Sequence, residues 1–233
     1  MNIVITGASK GMGKAIAEKF ASSKNHLFIC SRNETPLAKT AEEISKKNGG
    51  VVKYFAADLS EKKGVQAFYN WLLEQNIDVD ILVNNAGEFI PGSVFSEEEG
   101  TLEKMINVNL FSAYHLTRKL LPRMMENRNG HIFNICSIAS LKAYPNGGSY
   151  SISKYALMGF SKNLREEMKA YNIKVTAVYP GAVYTSSWEG SGVPKERIME
   201  SEDISQMIYA ASLLSPQACV EDIVIRPLLG DLP

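Results

Sequence analysis

Tyr150 and Lys154 stand four residues apart in a segment of helical pattern, a spacing that puts two side chains on one face. A phenol has an unperturbed pKa of about 10, so it is a poor acid–base catalyst near neutrality until a nearby cation favours the phenolate. The Lys154 ammonium can supply that charge. Ser137, at the end of an apolar, β-branched run, adds a hydroxyl thirteen residues before Tyr150. Two adjacent donors on one carbonyl oxygen are what hydride addition requires, because negative charge develops there. Each feature alone has an ordinary reading: a Tyr–Lys pair at this spacing is common by accident, and a serine often caps a strand end.

A second constellation would bind a phosphate. Thr6-Gly7-Ala8-Ser9-Lys10-Gly11-Met12-Gly13 follows a strand-like run and opens a helix. Glycines there let the backbone turn tightly and approach a pyrophosphate, while the N–H groups of the helix start face the anion. Gly7, Ser9, Lys10, Gly11, Met12 and Gly13 are therefore candidate cofactor contacts, although a glycine turn by itself is weak evidence. Sites for NAD usually carry an acid about 20 positions further on, at the end of the second strand. Here Cys30-Ser31-Arg32 occupies that place. Ser31 can donate a hydrogen bond to a 2′-phosphate, Arg32 offers it a planar charged fork, and Lys10 adds a second cation, so the pattern favours NADPH. The alternative is that Lys10 and Arg32 are solvated surface charges. Asp58 and Leu59, ending the third strand, can bracket an adenine through polar and apolar contact; a helix N-cap by Asp58 or Ser60 fits equally well.

These residues need elements to hold them. Strand-like runs over Ile3 to Thr6, Leu27 to Ser31, Val51 to Ala56, Ile81 to Asn84, His131 to Cys136, Val175 to Tyr179 and Ile223 to Arg226 alternate with helical patterns. The helical segments are Gly11 to Ser23, Pro36 to Lys47, Lys62 to Gln75, Glu98 to Glu126, Ser149 to Tyr171 and Asp203 to Leu214. This order predicts an α/β fold of the Rossmann type: a doubly wound, seven-stranded parallel sheet with helices on both faces. With 233 residues and no repeat, charge block or Pro-rich linker, residues 1–233 are expected to form one domain. The segment from Thr185 to Pro194, rich in small residues, is a candidate substrate lid around 185–200.

Composition excludes several classes. Lys plus Arg and Asp plus Glu both number 25, which leaves no electrostatic footprint for nucleic acid or an anionic membrane. No apolar stretch reaches the ~20 residues of a membrane helix, and the first strand begins too early for a signal peptide. Cys30, Cys136 and Cys219 lie far apart among apolar neighbours, as packed thiols in a reducing compartment do, so the expected location is cytoplasmic with no bound metal.

Taken together, the motifs resemble the short-chain dehydrogenase/reductase family, in its compact single-domain branch, over nearly the whole length. The matching residues are Thr6 to Gly13, Asn84-Asn85-Ala86-Gly87, Asn109 in Asn107-Val108-Asn109, Ser137, Tyr150 with Lys154, and Pro180-Gly181-Ala182-Val183-Tyr184-Thr185. The resemblance implies NADP(H) as cofactor and a carbonyl or secondary alcohol as substrate. In that mechanism Tyr150 gives a proton to the oxygen, Ser137 orients it, and Lys154 lowers the tyrosine pKa and holds the nicotinamide ribose. Asn109 would keep a water in the proton return path through its backbone; the alternative is a polar residue tying adjacent helix turns. By the same resemblance Asn85, Ala86 and Gly87 line the ribose and nicotinamide side, and Pro180, Gly181, Val183 and Thr185 clasp the nicotinamide amide. Pocket candidates are Glu88, Phe89, Ile90, Ala139, Leu141, Tyr144 and Trp188. The C-terminal run Ile223 to Gly230 departs from the Val-Asp-Gly-Gly ending of many members, which puts an oxoacyl thioester substrate in doubt. A homodimer or homotetramer through Glu98 to Glu126 and Ser149 to Tyr171 is implied. The weaker alternatives are a catalytically silent NADPH-sensing binding protein and a sugar-nucleotide epimerase or dehydratase.

Overall fold

The computed structural model describes residues 1–185 and 192–232. Seven parallel strands run β1 (Asn2–Thr6), β2 (His26–Ser31), β3 (Val51–Ala56), β4 (Ile81–Asn84), β5 (Gly130–Ile135), β6 (Ile173–Pro180) and β7 (Asp222–Ile225). Their order in the sheet is β3-β2-β1-β4-β5-β6-β7, with every neighbouring pair parallel. The direction of winding reverses between β1 and β4, which opens a crevice outside the carboxyl ends of the strands, where ligands bind in open α/β sheets.

Because side chains alternate across a strand, the central strands must be apolar on both faces. Ile3 and Ile5 of β1, with Leu27 and Ile29 of β2, pack under α1 (Gly11–Phe20), α2 (Glu34–Asn48) and α7 (Ser201–Ser212) through Ile16, Phe20, Leu37, Ile44, Ile204 and Ile208. Val4, Phe28, Leu82, Ile132 and Val175 face the other way, against α3 (Lys62–Glu74), α5 (Ser112–Asn127) and α6 (Gly148–Met168). In α3 the stripe Val65, Phe68 and Leu72 is buried, as its spacing predicts.

One helical segment differs from expectation. Glu98 to Glu126 reads as one helix, yet it is divided into α4 (Thr101–Ile106), a π turn (Asn107–Phe111) and α5. The wider turn coincides with two side chains that bond backbone: the Ser112 hydroxyl donates to the Val108 carbonyl at 2.6 Å, and Asn109 Nδ2 donates to the Glu88 carbonyl at 3.0 Å. Gly100, at φ +83, sets the turn that starts α4, so Glu98 and Glu99 stay outside the helix. The ends of the expected lid are pinned together by a bridge between Val183 and Met199, with Tyr184 N–H on the Met199 carbonyl at 2.7 Å. A 3₁₀ turn follows at Lys195–Arg197. Residues 186–191 of the expected lid, including Trp188, lie outside the described residues. No helix among the described residues is long and apolar enough to cross a membrane.

Candidate active site

The site lies at the carboxyl ends of β4, β5 and β6, on the first turns of α6. Ser137, two residues beyond the end of β5, caps a 3₁₀ turn (Ile138–Ser140), its oxygen accepting the Ala139 N–H at 3.1 Å. Tyr150 and Lys154 come from the first two turns of α6, one turn apart. Ser137 lies near Tyr150, close enough for its hydroxyl to counter part of the effect of burial on the phenol. Lys154 is buried, its Nζ 5.8 Å from the Tyr150 ring centroid and donating to the Ile135 carbonyl at 2.8 Å.

The electrostatics differ from expectation. Burial pushes the Tyr150 phenol up to about 12, and the Ser137 hydroxyl offsets this only in part. Burial likewise draws Lys154 down to about 8. Without a bound dinucleotide, desolvation therefore outweighs the expected lowering of Tyr150 by Lys154. Near neutrality the result is a protonated phenol beside a cation.

The helix start that presents Tyr150 is held by a residue the sequence reading missed. Glu97 accepts from the Ser149 N–H at 3.2 Å and the Ser149 hydroxyl at 2.5 Å, which neutralises the exposed end of α6. Phe89 lies edge-on to the Tyr150 ring with centroids 4.8 Å apart. Leu141 and Tyr144 are exposed beside the site, whereas Ala139 is buried and offers no wall. Asn109 is 1 % exposed in the π turn, and its amide also bonds Ser153 Oγ at 2.9 Å while Oδ1 accepts the Glu88 N–H at 2.8 Å. It ties the β4 loop to α6, a wider span than adjacent helix turns.

At the other end, Gly7 takes φ +65, and a Cβ on Gly13 would stand 2.2 Å from the Gly7 carbonyl oxygen. Only glycine permits this close approach. Asn85 Nδ2 donates to the carbonyls of Thr6 and Gly7, each at 3.0 Å, so its side chain fastens the turn instead of facing a ribose. Thr6, which opens the glycine motif, accepts the Asn85 and Ala86 N–H groups on its hydroxyl. A Cβ on Gly87 would lie 3.0 Å from Asn109 Oδ1 and 3.6 Å from Lys154 Nζ, so glycine keeps that wall open.

Lys10 and Arg32 are exposed, and Ser9 and Met12 are half-buried beside them. Ser31 donates to the Asn33 carbonyl at 3.4 Å. Asp58 accepts from the Ser60 N–H at 2.9 Å and the Ser60 hydroxyl at 2.7 Å. Its partial burial is outweighed by these bonds and by the Arg32 charge, which hold its carboxyl below the usual range. Leu59 is 5 % exposed and packs in the core, so the expected apolar contact to an adenine is not offered by its side chain. Pro180 and Val183 are buried at the end of β6, Gly181 N–H bonds the Ile225 carbonyl at 2.8 Å, and Thr185 packs over Gly11. Among the described residues no His, Cys, Asp and Glu cluster could hold a metal.

The model of the short chain dehydrogenases matches residues 1–193. The chain belongs to this family. It is 33% identical over 238 aligned residues to a sepiapterin reductase of Chlorobaculum tepidum, covering 99% of this chain and 97% of the relative. An alcohol dehydrogenase from the archaeon Thermococcus sibiricus, complexed with 5-hydroxy-NADP, superposes with TM-score 0.90 at 28% identity, over 100% of this chain and 98% of that one. L-sorbose reductase from Gluconobacter frateurii, complexed with NADPH and L-sorbose, gives TM-score 0.89 at 26% identity, over 97% and 94%. The short-chain family is one of oxidoreductases, and the seven-stranded parallel sheet is its fold.

Proposed function

We propose that the protein is an NADP(H)-dependent reductase of a ketone or related oxo compound, with Tyr150 as proton donor. The observation that carries this reading is the placing of Ser137 after β5 and of Tyr150 and the buried Lys154 on one face of α6, with Lys154 Nζ 5.8 Å from the Tyr150 ring centroid. NADPH, when bound, supplies the hydride for the carbonyl carbon. Tyr150, held as a neutral phenol, delivers its proton to the carbonyl oxygen, and Ser137 donates a hydrogen bond to that oxygen as charge develops. Lys154 holds the nicotinamide ribose and stabilises the phenolate left behind. Asn109 positions the loop that carries Gly87 and Glu88.

The glycine turn fits a pyrophosphate, since Gly7 and Gly13 approach more closely than any side chain allows. Arg32 and Lys10 suit a 2′-phosphate, and NADP-type ligands in the alcohol dehydrogenase and the sorbose reductase support the same choice. Phe89, Leu141 and Tyr144 favour a substrate with an apolar or ring-bearing flank. The free Cys30, Cys136 and Cys219 suit the cytoplasm. Exposed Phe111, Ile152 and Tyr155 supply apolar surface for a homodimer or homotetramer.

The test is consumption of NADPH and of NADH against diketones, quinones, aromatic aldehydes and oxoacyl thioesters. Faster turnover of at least one ketone with NADPH than with NADH is expected. Binding of NADPH without turnover of any of them would contradict the reductase reading.

A further inference from the structure

We propose that Glu88 sets the affinity for NADP(H) by competing with the cofactor's 2′-phosphate for Arg32. The proposal rests on the NADP(H) reading above. In the sheet, β1 lies between β2 and β4. Arg32 follows the last residue of β2, Glu88 stands in the loop after β4, and the glycine turn leaves β1 between them. Arg32 Nη1 reaches to 3.9 Å from Glu88 Oε2, so the pair spans the carboxyl end of β1, across two strand spacings of about 4.8 Å. A dinucleotide with its pyrophosphate on the glycine turn would bring its adenosine ribose toward Arg32 at the end of β2.

The sequence lacks an acid at the end of β2, but the fold brings one to the same place from β4. Glu88 is firmly rooted, because its N–H and carbonyl are both bonded by the buried Asn109. Its Oε1 pairs with Lys104 of α4 at 3.4 Å. Its Oε2 is buried and has no hydrogen-bond partner among the described residues. That oxygen feels the Arg32 charge at a distance too long for a hydrogen bond. A 2′-phosphate, by contrast, can take both prongs of the guanidinium at once. The phosphate therefore displaces Glu88, but its affinity is reduced by the pair it breaks and by repulsion from the carboxylate. Asp58 also lies within the field of Arg32, but its oxygen is already occupied by Ser60.

Partly exposed ion pairs have modest strength, which corresponds to about twofold to fivefold in Kd. Glu88→Gln keeps the backbone bonds to Asn109 and removes the charge. Fluorescence titration of the intact protein with NADPH and with NADH should show NADPH binding about twofold to fivefold tighter in this variant, with no gain for NADH. In an Arg32→Ala background the gain should vanish. Lys104→Met, which leaves Glu88 to Arg32 alone, should weaken NADPH binding. An unchanged NADPH-to-NADH ratio in both Glu88→Gln and Lys104→Met, or a gain that survives Arg32→Ala, would overturn the competition while leaving the cofactor reading intact. A wild-type protein that binds neither dinucleotide would overturn the cofactor reading itself, and the competition with it.

Discussion

Lys154 and Tyr150 share a buried corner that penalises both the ammonium and the phenolate, and that sets how each responds to pH. Lys154 is cationic below about 8 and loses its charge above it. Its attraction for an anionic dinucleotide is thus present below that pH and lost above it. NADPH affinity measured by titration from pH 7 to 9.5 should fall through this window, and Lys154→Met should abolish that part of the fall. Arg32→Ala should weaken NADPH about tenfold to a hundredfold and NADH by no more than about threefold, because a charge-assisted fork to phosphate is lost for one cofactor only. Parallel Kd measurements check this. Ser137, Tyr150 and Lys154 are legible in the sequence because strand end and helix face are local patterns. Glu97 and Glu88 are not: Glu97 meets Ser149 across a separation of 52 residues, and Glu88 meets Arg32 only where β2 and β4 flank β1.

At the level of elements, the glycine turn between β1 and α1 is the least tolerant joint. A Cβ at position 13 would meet the Gly7 carbonyl oxygen at 2.2 Å, and backbone cannot swing aside as a side-chain tip can. Gly13→Ala should lower stability by about 2 kcal/mol or more and abolish dinucleotide binding, as read by denaturant unfolding and fluorescence titration. The inner strands were legible because parallel strands buried on both faces read as continuous apolar runs, the edge strands β3 and β7 through their β-branched and aromatic residues, and all seven fall within two residues of their expected bounds. The π turn at Asn107–Phe111 was not, because an i→i+5 turn leaves no signature in residue type or period. Here it follows from where Asn109 must reach, which depends on the loop after β4.

The whole molecule carries a buried base far from the site. His131 on β5 is stacked on Phe133 at 3.9 Å, and its Nε2 lies 2.8 Å from Thr176 Oγ1. Thr176 gives its own hydroxyl proton to the Val220 carbonyl, so His131 Nε2 is the donor in that bond. Burial, with the Lys174 charge, holds this imidazole down at about 3, against 6.5 for a free one. Below pH 6.5 the unfolded chain therefore binds a proton that the native protein refuses. Stability from this residue is full above 6.5 and is lost at about 1.4 kcal/mol per unit as pH falls toward 3. Between pH 6.5 and 4.5 a His131→Gln variant should lose about 2–3 kcal/mol less than the wild type in denaturant unfolding. An equal loss would show that His131 is not the acid-labile group. The fold as a whole, with its reversal between β1 and β4, gathers the glycine turn, Arg32 and Tyr150 at the carboxyl ends of the strands, an arrangement suited to one reaction, proton delivery by Tyr150 beside a bound dinucleotide. The most direct measurement of it is Tyr150→Phe, comparing NADPH affinity with turnover of a ketone found active for the wild type. The expected result is a Kd within about threefold of the wild type and a turnover lower by about 100-fold to 10,000-fold, the range for loss of a positioned proton donor. Turnover within tenfold of the wild type would contradict it.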